Sequence, residues 1–321
     1  MPETIVNPIN MTTTPTLHVT LQNYADGKLL KNMEDKLVYH ANGVKRKLPK
    51  GNGQVMEFWR YQKMGAITDP LQEAVIPEAQ TFSQAKITAT VDSYGGYLAV
   101  SDKLDMTMIN YQTRQLVELL SDQAALSIDT KVRDVMMNTT NVLYSGNKTQ
   151  ASALTATDIL CVDDIRRGVR KLDKKGARKF TRGGKGYYKC IIGADAVFAL
   201  QSDPKWVDVA TYQQAEKIEN GEIGKLYGVI FILTSNNKVS TGAGASGVDV
   251  DTAFLFGDES YAVVSLGDAG DNAHIITKGF DEGGVANPLN QVSTIGWKVD
   301  GMTTVILNPD WLLRIDSAVA A

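Results

Sequence analysis

SDKLDMTMINYQTRQLVELLSDQAALSIDTKVRDVMMNTTNVLYS, residues 101–145, is the stretch on which the reading of this chain turns. It holds no Gly or Pro, and apolar residues recur at Leu116, Leu119, Leu120, Ala124, Ile128, Val132, Val135 and Met136. That spacing draws one stripe along a 3.6-residue helix. Glu118, Asp122, Asp129, Arg133 and Asp134 fall mainly on other faces. A helix over most of the stretch would be a rod of roughly 50 Å, the span of a whole domain. A long core helix of any α/β protein would show the same pattern, so the flanks have to decide.

Upstream, residues 1–17 are rich in Thr and Pro without periodicity and read as an extended arm. Leu29, Leu30, Met33, Leu37 and Val38 predict a short helix, and KRKLPKGNG at 45–53 reads as a basic, turn-rich passage. Two strands are predicted next. The first is QVMEFWRY; the second alternates Ala85, Ile87, Ala89 and Val91 against Lys86, Thr88, Thr90 and Asp92. Between them lies GAITDPLQEAVIPEAQTF, with Gly65, Pro70 and Pro77. Hairpin loops usually have two to five residues. A connection this long predicts a projecting hairpin whose tip leaves its own subunit, and such an arm needs a neighbour to bury it.

Downstream, NKTQASAL is a polar loop and CVDDIRRGVRKLDKKG a second helix. Asp163 and Asp164 fall in its first turn, Lys174 and Lys175 in its last, and Gly176 just past it, matching the helix dipole and a glycine cap. ARKFTRGGKG reads as a basic, glycine-rich loop leading into the strand YYKCII. A helix at ADAVFALQ, a second starting near Pro204, and strands at GVIFILTS, FLFG, AVVSL, HIITKGF, VSTIGWKVDGMTTVILN and WLLRID complete the pass.

The 321 residues are 43% hydrophobic and 21% charged, ordinary for a chain that buries a full core. No apolar run approaches the ~20 residues of a membrane span, and the N-terminus lacks the blocks of a signal peptide. The net charge of −3 does not advertise a nucleic-acid binder. Cys161 and Cys190 fit core-filling thiols in a reducing compartment.

Catalysis finds no support. Gly242, Gly244 and Gly247 spell GxGxxG, but no helix pattern leaves them as a dinucleotide site requires, so they read as a surface loop. His18, His40 and His274 are scattered, and Asp249 and Asp251 lack the rest of a calcium loop. No nucleophile elbow or phosphate-binding loop is present. Neither a cofactor nor a metal is expected. One charge feature stands out: residues 166–189 hold roughly a third of the 33 basic residues, with Asp173 the one acid among them. A solvated face, contact with a nucleic-acid backbone and contact with an acidic neighbour all fit such a run.

Five blocks carry a resemblance. KRKLPKGNGQVMEFWRYQKMGAITDPLQEAVIP, ITATVDSYGGYLAVSDKLDMT, LVELLSDQAALSIDTKVRD, SDPKWVDVATYQQAEKIENGEIGKLYGVIFILTSN and GWKVDGMTTVILNPDWLLRI resemble, in order over about 45–315, major capsid proteins of tailed bacteriophages. The resemblance implies the α+β Hong Kong 97-like fold. Its parts would be an N-terminal arm (1–44), an extended loop (45–100), a peripheral domain on a long spine helix (101–180 and 290–321) and an axial domain (181–289). It implies a structural protein, not an enzyme, that forms pentamers and hexamers of an icosahedral shell around double-stranded DNA. Such a protein would sit in the virion after assembly in the host cytoplasm. Trp59, Arg60, Lys63, Asp69, Pro70 and Pro77 are expected at inter-subunit contacts, and Arg178, Lys179, Arg182 and Lys185 at DNA or a neighbour. Portal and decoration proteins, and a separate scaffold, are the accessory partners implied; covalent cross-links are not predicted. Encapsulins, which have a similar fold and enclose protein cargo, remain open, as does, more remotely, an α/β dinucleotide-binding enzyme.

Overall fold

A computed structural model describes residues 36–320 except 69, 71–75, 78, 108–112, 207–221, 268–272 and 281–287. The predicted arm and most of the predicted short helix lie outside the described residues. What is described there is a single short helix, α1 (Val38–Asn42).

The spine is helix α3 (Thr113–Met137), 25 residues or roughly 37 Å. It is shorter than the rod predicted over 101–145. Strand β4 (Asp92–Ser101) enters the stretch, helix α2 (Asp102–Thr107) follows, and strand β5 (Val142–Tyr144) occupies its end. The stripe itself is in phase: Leu120, Ala124, Ile128, Val132 and Met136 are buried. Leu119 is the exception, at 61% exposure, one residue around the turn from the buried face.

Two sheets clasp this helix. The first has five strands, in the order β1 (Val44–Leu48), β12 (Tyr261–Leu266), β14 (Val292–Ile306) and β13 (His274–Lys278), with β4 also paired to β14. β1 runs through KRKL, so the passage read as a turn is in part a strand; its parallel partner β12 lies more than two hundred residues away and leaves no local signal. Trp297, Val299 and Met302 of β14 and Tyr261 and Val263 of β12 pack against α3.

The second sheet has eight strands, with main path β5, β15 (Leu312–Ala318), β11 (Val250–Phe256), β7 (Lys185–Ile192), β9 (Val229–Leu233) and β8 (Glu222–Leu226). Alternate residues on its strands serve two cores. Ile191, Phe254, Phe256 and Leu312 join the α3 core. Cys190, Leu255 and Leu313 face a second core with Ile165 and Leu172 of helix α4 (Val162–Lys174) and Ala196 and Leu200 of helix α5 (Ala194–Ser202). A sheet covered on both faces explains why its strands read as continuous apolar runs. Both sheets draw strands from either side of the boundaries drawn at 180–181 and 289–290.

Helix α4 follows its sequence signals closely. Cys161 and Asp164 form a capping box at its start. At its end Gly176 takes φ +67°; Gly176 N donates to Asp173 O at 3.0 Å and Ala177 N to Leu172 O at 3.0 Å, the paired bonds of a Schellman cap.

Candidate functional site: the projecting hairpin and the basic run

Strands β2 (Val55–Tyr61) and β3 (Gln84–Thr90) form a separate two-stranded antiparallel ribbon, in register from Val55↔Thr90 to Tyr61↔Gln84. Its two faces differ, as a period of two requires. Met56, Phe58, Ile87 and Ala89 turn inward onto Leu48, Val264 and Val305 of the five-stranded sheet. Val55, Glu57, Trp59, Tyr61, Lys86 and Thr88 face outward and are exposed.

Trp59 is half exposed, with the Lys86 ammonium 5.8 Å from its ring centre and Lys86 paired to Glu57. The rings of Tyr61 and Phe82 lie 6.1 Å apart. Arg60 turns the other way, donating from Nη1 to Asn308 Oδ1 of its own subunit at 3.3 Å. Beyond the ribbon, every described residue between Tyr61 and Gln84 is exposed, Lys63, Pro70 and Pro77 included; Asp69 lies outside the described residues. Ile67 and Ile76 are 72% and 93% exposed, together with Met64 and Phe82. Together they form a row of large apolar side chains in water, the kind of exposed surface on which another molecule can dock.

Helix α1 is held to α3 by a group that sequence reasoning missed. Asp129 sits on α3 with 1% exposure, although its spacing placed it off the apolar stripe. Its Oδ1 accepts from Tyr39 N at 2.8 Å and His40 N at 3.1 Å, so a carboxylate ninety residues away caps the first turn of α1. Burial raises the Asp129 carboxyl pKa, and the His40 and Tyr39 N–H groups oppose that rise. Tyr261 Oη donates to Tyr39 O at 2.7 Å, and Tyr39 Oη to Asn237 Oδ1 at 3.3 Å. Helix α1, α3 and strand β12 therefore meet at one buried polar joint. Nearby, Asn237 Nδ2 and Thr252 N both donate to Asp251 Oδ1, and burial pushes the Asp251 carboxyl up to about 6.

The basic run is more tied down than its sequence implied. ARKFTRGGKG is not an open loop: β6 (Phe180–Arg182) pairs with β7 in register Arg182↔Lys185, around Gly183 and Gly184 at φ +59° and +78°. Two central residues at positive φ make the tight hairpin turn that glycine pairs favour. Arg178 pairs with Glu259 at 3.0 Å and Lys179 with Asp173 at 3.0 Å. On α4, Arg167 pairs with the buried Asp164, and Lys171 Nζ donates to Val142 O at 3.0 Å. Lys175 meets Asp310 at 3.2 Å, and Lys189 Nζ donates to Asn42 Oδ1 at 2.9 Å. Glu259 and Asp310 lie far along the chain, so a local count of acids could not find them.

The sites rejected from sequence fare as follows. Gly242–Gly247 lies between strand β10 (Val239–Ser240) and β11, with a short 3-10 turn and no α-helix leaving it. His274 meets Asp300 at 3.0 Å, and His40 is buried beside the Asp129 joint. Among the described residues, no group of three or more His, Cys, Asp or Glu could hold a metal ion, and no helix is long and apolar enough to cross a membrane.

No family model matches the chain, and no curated protein matches it in sequence. Solved structures do match. The capsid of Ralstonia phage GP4 aligns with TM-score 0.68 at 13% identity, covering 89% of this chain and 92% of that one. The capsid of cyanophage P-SCSP1u aligns with TM-score 0.61 at 14% identity, covering 87% and 86%. The holo-SrpI encapsulin complex from Synechococcus elongatus PCC 7942 aligns with TM-score 0.51 at 10% identity, covering 98% and 92%. Spine helix, projecting hairpin and the two sheets together form the α+β Hong Kong 97-like fold that tailed-phage capsid proteins have.

Proposed function

We propose that this chain is a major capsid subunit of a tailed phage, whose copies form pentamers and hexamers of an icosahedral shell around double-stranded DNA. The observation that carries the reading is the ribbon β2–β3. One face is seated on its own sheet, while Trp59, Tyr61 and the described tip residues are left in water. A second copy would supply the missing cover, and repeated contacts of modest strength hold a closed shell through multivalency. Within this proposal 1–44 is the arm and 45–100 the extended loop. Residues 101–180 with 290–321 form the peripheral part, and 181–289 the axial part. Because the strand pairings cross these divisions, they denote places in the shell rather than units that fold alone.

The virion, after assembly in the host cytoplasm, is the proposed location. Portal, scaffolding and decoration proteins are the proposed accessory partners. Arg178, Lys179, Arg182 and Lys185 are proposed to touch the packaged DNA weakly or to touch a neighbouring subunit. Changing all four to Ser separates the readings: normal empty shells with altered packaging mean DNA, no empty shells mean a subunit contact, and normal assembly with normal packaging means a solvated hairpin.

Electron microscopy of the purified protein tests the main proposal, which expects closed shells; a dispersed monomer under all assembly conditions contradicts it. The encapsulin match, which spans 98% of the chain, supports a second reading as a protein-cargo compartment. The contents of native particles decide between DNA and protein.

A further inference from the structure

Helix α4 carries Arg166, Arg170 and Lys174 at intervals of four residues, so the three cations form one row along its exposed face. Arg166 is held by Asp163 at 3.1 Å, whereas Arg170 and Lys174 form no ion pair among the described residues. Asp173, the acid beside the row, is already engaged by Lys179 and by Tyr188 Oη. The row lines an open trough together with Val169, Asp173 and Tyr227.

Tyr227 is the unusual member. It sits at φ +49°, beside Gly228 at φ +76°, in the two-residue turn between β8 and β9. That geometry suits Asn-Gly, and a bulky side chain there is an outlier. Among the described non-glycine residues at positive φ it is the one aromatic; the others are Asn147, Ser246, Glu259 and Asn290. Its ring is half exposed and lies 5.3 Å from the Arg166 guanidinium. A backbone strain kept at a surface trough points to a role for the ring.

From this arrangement we infer that the trough is a binding groove for a nucleic-acid strand, with Arg166, Arg170 and Lys174 on successive phosphates and Tyr227 as a platform for a base. The inference goes beyond the capsid reading: a packaged duplex offers no unstacked base, so the strand that fits this trough is single-stranded. The row repeats about every 6 Å, one helical turn, comparable to the step between phosphates along a strand. Cations that track a backbone beside an aromatic that stacks on bases are the two parts of sequence-independent single-strand binding. An acidic peptide would use the cations but would gain little from the ring. The observations therefore favour nucleic acid.

Fluorescence anisotropy with a labelled oligothymidylate and the purified full-length protein tests this. Each phosphate contact with a single strand contributes about −0.7 to the slope of log K against log salt. The triple variant Arg166→Gln/Arg170→Gln/Lys174→Gln should flatten the wild-type slope by about 2. Tyr227→Asn suits the turn better, yet should weaken binding roughly tenfold with the slope unchanged. No binding by the wild type, or an unchanged slope in the triple variant, overturns the inference. So does an unaffected Tyr227→Asn variant with polyglutamate bound as tightly as oligothymidylate, which would assign the trough to an acidic protein segment. Imaging keeps the two readings apart. A wild type that forms no shells sinks the capsid reading, while the binding test is still read from the same protein.

Discussion

Helix α3 and the ribbon β2–β3 solve the same problem in opposite ways. Along α3 the apolar side chains are covered by the subunit's own strands, and Val132 is fully buried. On the ribbon one face is covered by the subunit's own sheet and the other carries Trp59 and Tyr61 into solvent. On the capsid proposal, the difference separates residues that make the subunit fold from residues that make it assemble. Changes to the first should unfold a monomer. Changes to the second should leave a sound monomer that builds nothing.

The sharpest break in that contrast is Val132→Asp. A carboxylate in the α3 core must be desolvated or protonated, at a cost of several kcal/mol. Circular dichroism should find the variant unfolded or melting far below wild type. A normal melting curve would mean that α3 is not the core.

Asp129→Ala comes next. It strips the Tyr39 and His40 N–H groups of their acceptor, and an unsatisfied buried group costs about 1–3 kcal/mol. Denaturant unfolding should show a loss of roughly 2–4 kcal/mol, with Asp129→Asn recovering part of it because an acceptor remains. Equal losses in the two variants would put the effect in packing instead.

Asp251 sharpens the contrast through pH. Its folded value of about 6 lies above the unfolded value of about 3.9, so the folded state binds its proton more tightly. The stability this supplies is fully present below about pH 4 and is lost as pH rises through about 6. Asp251→Asn should therefore gain stability over wild type at about pH 7.5, on the order of 2 kcal/mol, and the gain should vanish by about pH 4. A difference independent of pH would deny that the carboxyl is the source.

Trp59→Ala should have the smallest effect on the monomer. The ring is half exposed, and surface substitutions of this kind usually change stability by about 0.5 kcal/mol or less. Shell yield on native gels should fall sharply even so. If the melting temperature falls as well, the ring belongs to its own subunit's base.

Much of the fold was legible in the sequence, for a physical reason. Alternation and helical spacing are local consequences of burial, so the alternation of β3 and the α3 stripe could be read directly, whereas the pairing register of the ribbon could not. The ends of α4 were equally local, since Asp164 and Gly176 act within a turn of the helix end, whereas Cys161 carries no ordinary cap signal. Asp129 was not legible. A carboxylate's place depends on which donors reach it, and its donors belong to a helix ninety residues upstream. The same holds for Arg178, whose partner Glu259 is contributed by another part of the fold. The hairpin at Gly183–Gly184 was a different kind of miss. Its glycine pair between strand-like residues is a local turn signal, but the flanking strands are short and their basic residues mask the alternation. At Tyr227 the sequence shows an ordinary aromatic, and only the backbone reveals a residue in a conformation that suits Asn or Gly.

A side-chain-resolution reconstruction of the assembled particle tests the central claim most directly, by showing what covers Trp59 and residues 62–83. Trp59 and the tip are expected to be buried against a second copy, with Met56 and Phe58 still seated on their own sheet. A particle in which the hairpin packs solely on its own subunit, or stands free in solvent, would contradict it.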